Sequence, residues 1–155
     1  MDSTAEHTAY HEAGHAVMAL LLGRPVDHVS IRPDAQRLGH CEFRKAVFRP
    51  SEDWLERELL IALSGLAAEA LHAGAYAWEG AARDLAYAEE LARQRTGAER
   101  PAKRLTERTL SKAEHLLSRA AAWRAVERLA AELLRVGAIS GRAARHFFAE
   151  ATEDD

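Results

Sequence analysis

Thr8-Ala9-Tyr10-His11-Glu12-Ala13-Gly14-His15-Ala16-Val17-Met18-Ala19-Leu20-Leu21-Leu22, followed by Gly23-Arg24-Pro25, decides how the rest of the chain is read. The stretch predicts a helix over residues 8–22, stopped by Gly23 with Pro25 just beyond. From Ala16 to Leu22 it is apolar on every side, so the helix belongs inside the molecule. Its first half carries His11-Glu12-Ala13-Gly14-His15, an H-E-x-x-H motif. Residues four apart on a helix project from one face, so two imidazoles can meet one ion. Zinc takes nitrogen at about 2.0–2.1 Å in a tetrahedral shell, and a catalytic site leaves one corner of that shell to water. Zinc brings the pKa of such a water down to about 7. Glu12, beside the first imidazole, is placed to take that proton and pass it to a leaving amine. Gly14 keeps bulk off this helix and lets another backbone approach. Without an ion, two histidines and a glutamate would stand at the edge of a core, where unpaired polar groups are costly.

Working outward, Val26 to Arg32 alternates loosely and is rich in β-branched residues, which predicts a strand. Leu38 to Phe43 predicts a second, with Pro33 to Arg37 as the hairpin loop between them. Ser51 is the expected cap of the next helix, which runs to about Ala73 and ends at Gly74. Gly80 precedes another helix, from Ala81 to about Arg95, closed by Gly97. Pro101 then opens a long helical stretch to about Val136, with Leu105, Leu110, Leu116, Leu117, Val126, Leu129 and Leu133 on its apolar side. A bend is expected near Ala120 to Trp123, although neither Pro nor Gly forces one. Gly137 to Gly141 reads as a turn and Arg142 to Ala151 as a short last helix. The expected fold is therefore mainly α, with one small hairpin sheet beside the H-E-x-x-H helix. One domain is expected over residues 1–151, with a loose tail at 152–155.

The 155 residues are 48% hydrophobic with a formal net charge of -3. That composition excludes a disordered chain. No stripe of Lys and Arg with interleaved aromatics points to nucleic acid. The longest apolar run is far short of the roughly 20 residues that span a bilayer, and acidic Asp2 and Glu6 stand where a signal peptide would be basic. Neither membrane insertion nor a leader is expected. Cys41 is the only cysteine, which rules out an intrachain disulfide and fits a reducing cytoplasm. It lacks an indicated base to make it a nucleophile.

A third ligand must come from elsewhere, because Met18 and Leu21 stand where a metzincin extension would need Gly and His. Glu42 falls in a predicted strand, which suits that role poorly. Asp84 lies early on the Ala81 helix in line with Ala88 and Leu91, yet an acid there is equally explained by the helix dipole. Glu69, within Gly65-Leu66-Ala67-Ala68-Glu69-Ala70-Leu71, reads on pattern as a surface position of an amphipathic helix. His7, His28, His40, His72, His115 and His146 show no second metal spacing. His40 and Cys41, as strand neighbours, face opposite ways and should not share an ion. Trp54, Trp78 and Trp123 read as core or partner-contact residues.

Three segments together resemble one family. They are Thr8 to Ala16; Val29-Ser30-Ile31-Arg32-Pro33 followed by Leu38-Gly39; and Leu63-Ser64-Gly65-Leu66-Ala67-Ala68-Glu69 followed by Gly80-Ala81-Ala82-Arg83-Asp84-Leu85 with Ala88. In order and spacing they are similar to the peptidase domain of the FtsH family of ATP-dependent zinc proteases, over residues 8–95 and more weakly at Leu129-Ala130 and Leu133-Leu134. The resemblance implies a mostly helical domain with a small sheet beside the active site. It implies zinc held by His11, His15 and Asp84, Glu12 as general base, and Glu69 in support. Arg83 stands where the family has Asn before the acid, and Ser64-Gly65 replaces a paired glycine.

The expected activity is zinc-dependent endopeptidase hydrolysis of peptides or unfolded proteins. The sequence holds no phosphate-cradling G-x-x-x-x-G-K-[ST], so it cannot drive unfolding by its own ATP hydrolysis, and the expected partners are a separate ATPase or further copies of this chain. The rival expectation is a metal-binding regulatory or interaction module without turnover. Retention of Glu12 speaks against it, since a purely structural ion has no use for that carboxylate.

Overall fold

Why the first helix governs the architecture is visible in its burial: His11 through Ala19 are all buried, without interruption. The computed structural model describes residues 3–34, 38–44 and 53–153. Helix α1 spans Ser3–Leu21, beginning five residues before the predicted start because Ala5 and Glu6 extend it, with Glu6 favourable in the first turn. Strands β1 (Val26–Ser30) and β2 (His40–Phe43) follow, then α2 (Trp54–Ala73). A 3-10 turn at Trp78–Ala81 leads into α3 (Ala82–Thr96), α4 (Glu99–Leu117) and α5 (Ala120–Val136). The described chain closes with β3 (Ala138–Ser140) and α6 (Gly141–Thr152).

Helix α1 lies between α2 and α5, with β1 across it. Gly14 lets α2 come close: a Cβ at that position would stand 2.4 Å from the Ser64 carbonyl oxygen and 2.5 Å from Ala68 Cβ. Met18, Leu59, Leu63, Leu66, Leu129 and Leu133 fill the space between the helices and are fully buried. Asp53, rather than Ser51, caps α2, its carboxylate accepting from the Glu56 amide at 3.1 Å. Ser51 and the expected loop residues Ala35 to Arg37 lie outside the described residues, as do Asp154 and Asp155 of the expected tail. Thr152 of that tail is the last residue of α6.

Two expectations are corrected. The predicted turn at Gly137 to Gly141 holds a third strand, so the sheet is antiparallel with order β2-β1-β3. Three residues, of which only Ile139 is buried, are too few to show an alternating pattern. The long helical stretch is two helices. Arg119 is extended (φ -63°, ψ 142°) and starts α5 anew. The apolar positions carry this break: Leu110, Ala113 and Leu117 are buried on α4, and the i+3/i+4 rule would place the next at residue 120 or 121. Burial resumes instead at Ala122, Ala125 and Val126. An unbroken helix would turn Arg124 and Arg128 inward. Among the described residues, no helix is long and apolar enough to cross a membrane.

Candidate metal centre and its cleft

His11 and His15 project from α1 toward α2, and each ring is fixed by the hydrogen bond of its inner nitrogen. His15 Nδ1 donates to the Ile61 carbonyl at 2.7 Å, and His11 Nδ1 donates to Glu69 Oε2 at 3.1 Å. With Nδ1 carrying the hydrogen, each neutral ring presents the lone pair of Nε2. These two Nε2 atoms are 3.1 Å apart. Asp84, in the first turn of α3, brings Oδ2 to 2.7 Å from His11 Nε2 and 3.0 Å from His15 Nε2. Three electron-pair donors thus form a triangle with edges of 2.7, 3.0 and 3.1 Å. Ligands bound at about 2.05 Å in a tetrahedral zinc shell stand about 3.3 Å apart, a few tenths more. The donors are two imidazoles and one carboxylate, a set that zinc takes, and their mutual approach calls for a proton or a cation among them.

Protons show how strong that demand is. Burial alone would depress His11, but hydrogen bonds to Asp84 and Glu69, with the Glu12 charge, carry it from 6.5 to about 10. His15 is likewise opposed by burial and raised on balance, chiefly by the Asp84 charge. Burial pushes the Asp84 carboxyl up, yet the two imidazoles hold it well below the usual carboxylate range.

Room for the rings comes from Gly65 on α2. A Cβ there would stand 2.5 Å from His15 Nε2 and 2.6 Å from His11 Nε2. Glu12 is only 5% exposed and borders the same space, within 4.8 Å of the imidazole nitrogens by one carboxylate oxygen. Asp84 is in hydrogen-bond contact with both rings, at 2.7 and 3.0 Å. Glu69, expected on pattern at the surface, is 6% exposed and turned inward to His11. Glu42 lies instead beside His28 and His40, at 3.7 and 3.8 Å. Arg83 borders the cleft.

The centre floors a cleft of about 1010 Å³. Gly39, His40 and Cys41 form the β2 side of it, and Tyr76, Trp78 and Tyr87 the α3 side. These three aromatics are exposed, Trp78 and Tyr87 each at 51%. Burial, then the charges of Glu12, Asp84 and Glu42, pushes the Cys41 thiol well above its ordinary pKa, which disfavours the thiolate. Three features were missed by sequence reasoning. The Ile61 carbonyl left no signal, because any residue supplies one. Gly65 stood in the family-like segment with no role attached to it. His28 and His40, twelve positions apart, bring their Nε2 atoms to 2.9 Å through strand pairing.

An H-E-x-x-H helix whose imidazoles meet a carboxylate at the floor of an open cleft has the arrangement of a metallopeptidase. The family model for peptidase family M41 matches residues 1–98, and the chain belongs to that family. Among its relatives is the ATP-dependent zinc metalloprotease FtsH of Protochlamydia amoebophila, 38% identical over 90 residues, covering 56% of this chain and 10% of the relative. The FtsH of Thermobaculum terrenum is 40% identical over 90 residues, covering 56% and 14%. FtsH 4 of Sorangium cellulosum is 35% identical over 98 residues, covering 60% and 15%. The chain therefore matches only 10–15% of the length of these relatives.

Proposed function

We propose that this chain is a zinc-dependent endopeptidase in which His11, His15 and Asp84 hold the metal and Glu12 is the general base. The observation that carries the reading is the triangle of Nε2, Nε2 and Oδ2 atoms, each ring steered by a separate hydrogen bond behind it. Bound there, zinc supplies a Lewis acid for the peptide carbonyl and acidifies water. Glu12 takes a proton from the attacking water and returns it to the departing amine. Glu69 and the Ile61 carbonyl keep the Nε2 lone pairs aimed at the centre. Strand β2 is an edge of the sheet on the cleft side, so an extended, unfolded segment can pair with its backbone with little regard to sequence. Tyr76, Trp78 and Tyr87 offer apolar surface to the side chains of such a segment.

The relatives are named ATP-dependent. The residues of this chain hold no phosphate-cradling loop, so folded substrates would need an ATPase outside these residues, whereas flexible segments and peptides need none. A single free cysteine is compatible with a reducing compartment such as the cytoplasm.

Cleavage of unfolded casein by the zinc-loaded chain, with Glu12→Gln as control, tests the reading. Cleavage that Glu12→Gln lowers by at least about a hundredfold is expected. Zinc binding without Glu12-dependent cleavage would point to a silent metal-binding module. His15→Ala is expected to abolish zinc uptake at this centre, and Asp84→Asn to weaken it by at least about tenfold.

A further inference from the structure

We propose that His28, His40 and Glu42 form a second divalent-cation site, of the zinc class, that staples β1 to β2 at the rim of the cleft. The strand register builds it. His28 pairs directly with Glu42, and Ser30 pairs with His40. His40 and Glu42, two apart on β2, share a face, while Cys41 between them faces the other way. His28 is the direct neighbour of one and the diagonal neighbour of the other. Their ligand atoms all lie within 4.8 Å of one another.

The distances suit an ion. The two Nε2 atoms are 2.9 Å apart, Glu42 Oε1 is 3.8 Å from His40 Nε2, and Glu42 Oε2 is 3.7 Å from His28 Nδ1. These bracket the separation of about 3.3 Å between ligands in a tetrahedral zinc shell. Without an ion the facing Nε2 atoms must share one proton, and among the described residues His40 Nδ1 is buried with no hydrogen-bond partner. Behind His28 stands Asp27, whose Oδ2 accepts from His28 Nδ1 at 3.1 Å. Neighbours on a regular strand face opposite ways, but the pairing slips between Val26 and His28, and this irregularity lets Asp27 reach the ring. A carboxylate on the far nitrogen of an imidazole fixes the tautomer that ligates metal and raises its basicity. Two imidazoles and one carboxylate leave a fourth corner to water, as in other zinc sites with three protein ligands. The ion joins the edge strand to its neighbour, so its effect falls on the rigidity of β2.

Zinc stoichiometry of the full chain tests this, by equilibrium dialysis and elemental analysis, with circular dichroism to confirm folding. Wild type should bind two equivalents. His15→Ala should bind one, His40→Gln one, and the double variant none. His28→Gln, at a more exposed position, should repeat the His40→Gln result. Asp27→Asn should weaken the second ion by about tenfold. A wild-type zinc content that neither His28→Gln nor His40→Gln lowers, or an ion in His15→Ala that survives both, overturns the proposal. Loss of an ion in His28→Gln but not in His15→Ala would leave this site standing and sink the first one instead.

Discussion

His11 is the residue on which the most forces meet. Glu69 holds one nitrogen, Asp84 and His15 face the other, and Gly65 leaves the room that both rings occupy. Glu69→Gln keeps the shape but removes the negative charge behind the ring, so zinc affinity should fall by roughly 10–100-fold with the fold intact. Gly65→Ala favours the helix by propensity yet puts a methyl group into the imidazoles. It should lower zinc affinity by at least about tenfold in a dialysis measurement. An unchanged affinity would mean the rings do not stand where the distances place them. The pH dependence follows from the same contacts. In the metal-free chain His11 keeps its proton up to about 10 rather than 6.5. A raised pKa contributes stability that is complete below 6.5 and lost as pH climbs through about 10. The melting temperature of the metal-free chain should therefore fall between pH 7 and 10. Zinc displaces the proton, so the zinc-loaded chain should lose this dependence, and zinc affinity should rise over the same interval.

At the scale of elements, strong local signals were legible and weak ones were not. Helix α1 announced itself by a buried run and a glycine stop. Helices α2 and α3 ended where Gly74 and Gly97 take left-handed conformations, with φ of 82° and 75°. Asp84 was legible as a candidate but not as an assignment, because a first-turn acid has a local explanation of its own and its approach to two rings 69 and 73 residues away is purely tertiary. Glu69 was misjudged on pattern for the same reason: its partner lies on another helix. The break between α4 and α5 escaped the sequence reading, which expects one long stretch with a bend, because a change in the phase of the apolar stripe is a weaker signal than Pro or Gly. Strand β3 was not legible, since its pairing with β1 alone defines it. That pairing makes Gly141 sensitive, for a Cβ there would stand 1.8 Å from the Val26 carbonyl oxygen. Gly141→Ala should cost about 1–3 kcal/mol in denaturant unfolding, because backbone cannot yield as a side chain does. A cost near zero would contradict the close packing of α6 on β1.

At the scale of the molecule, the buried α1 is both the spine of the core and the carrier of the His11 and His15 rings. The helices around it hold the polar cluster: α2 supplies the Ile61 carbonyl, Glu69 and the Gly65 gap, and α3 supplies Asp84. A centre assembled from three helices forms only when they pack, so zinc binding and folding should be coupled, with zinc raising the melting temperature in proportion to its affinity. The sheet adds an edge for an extended chain without entering the centre. The most direct measurement is anomalous diffraction at the zinc edge from crystals of the zinc-loaded chain. The account predicts a peak bonded to Nε2 of His11 and of His15 at about 2.0–2.1 Å and to one Asp84 oxygen at about 2.0–2.2 Å. No peak between these three side chains, or an ion there with Asp84 turned away, would contradict it.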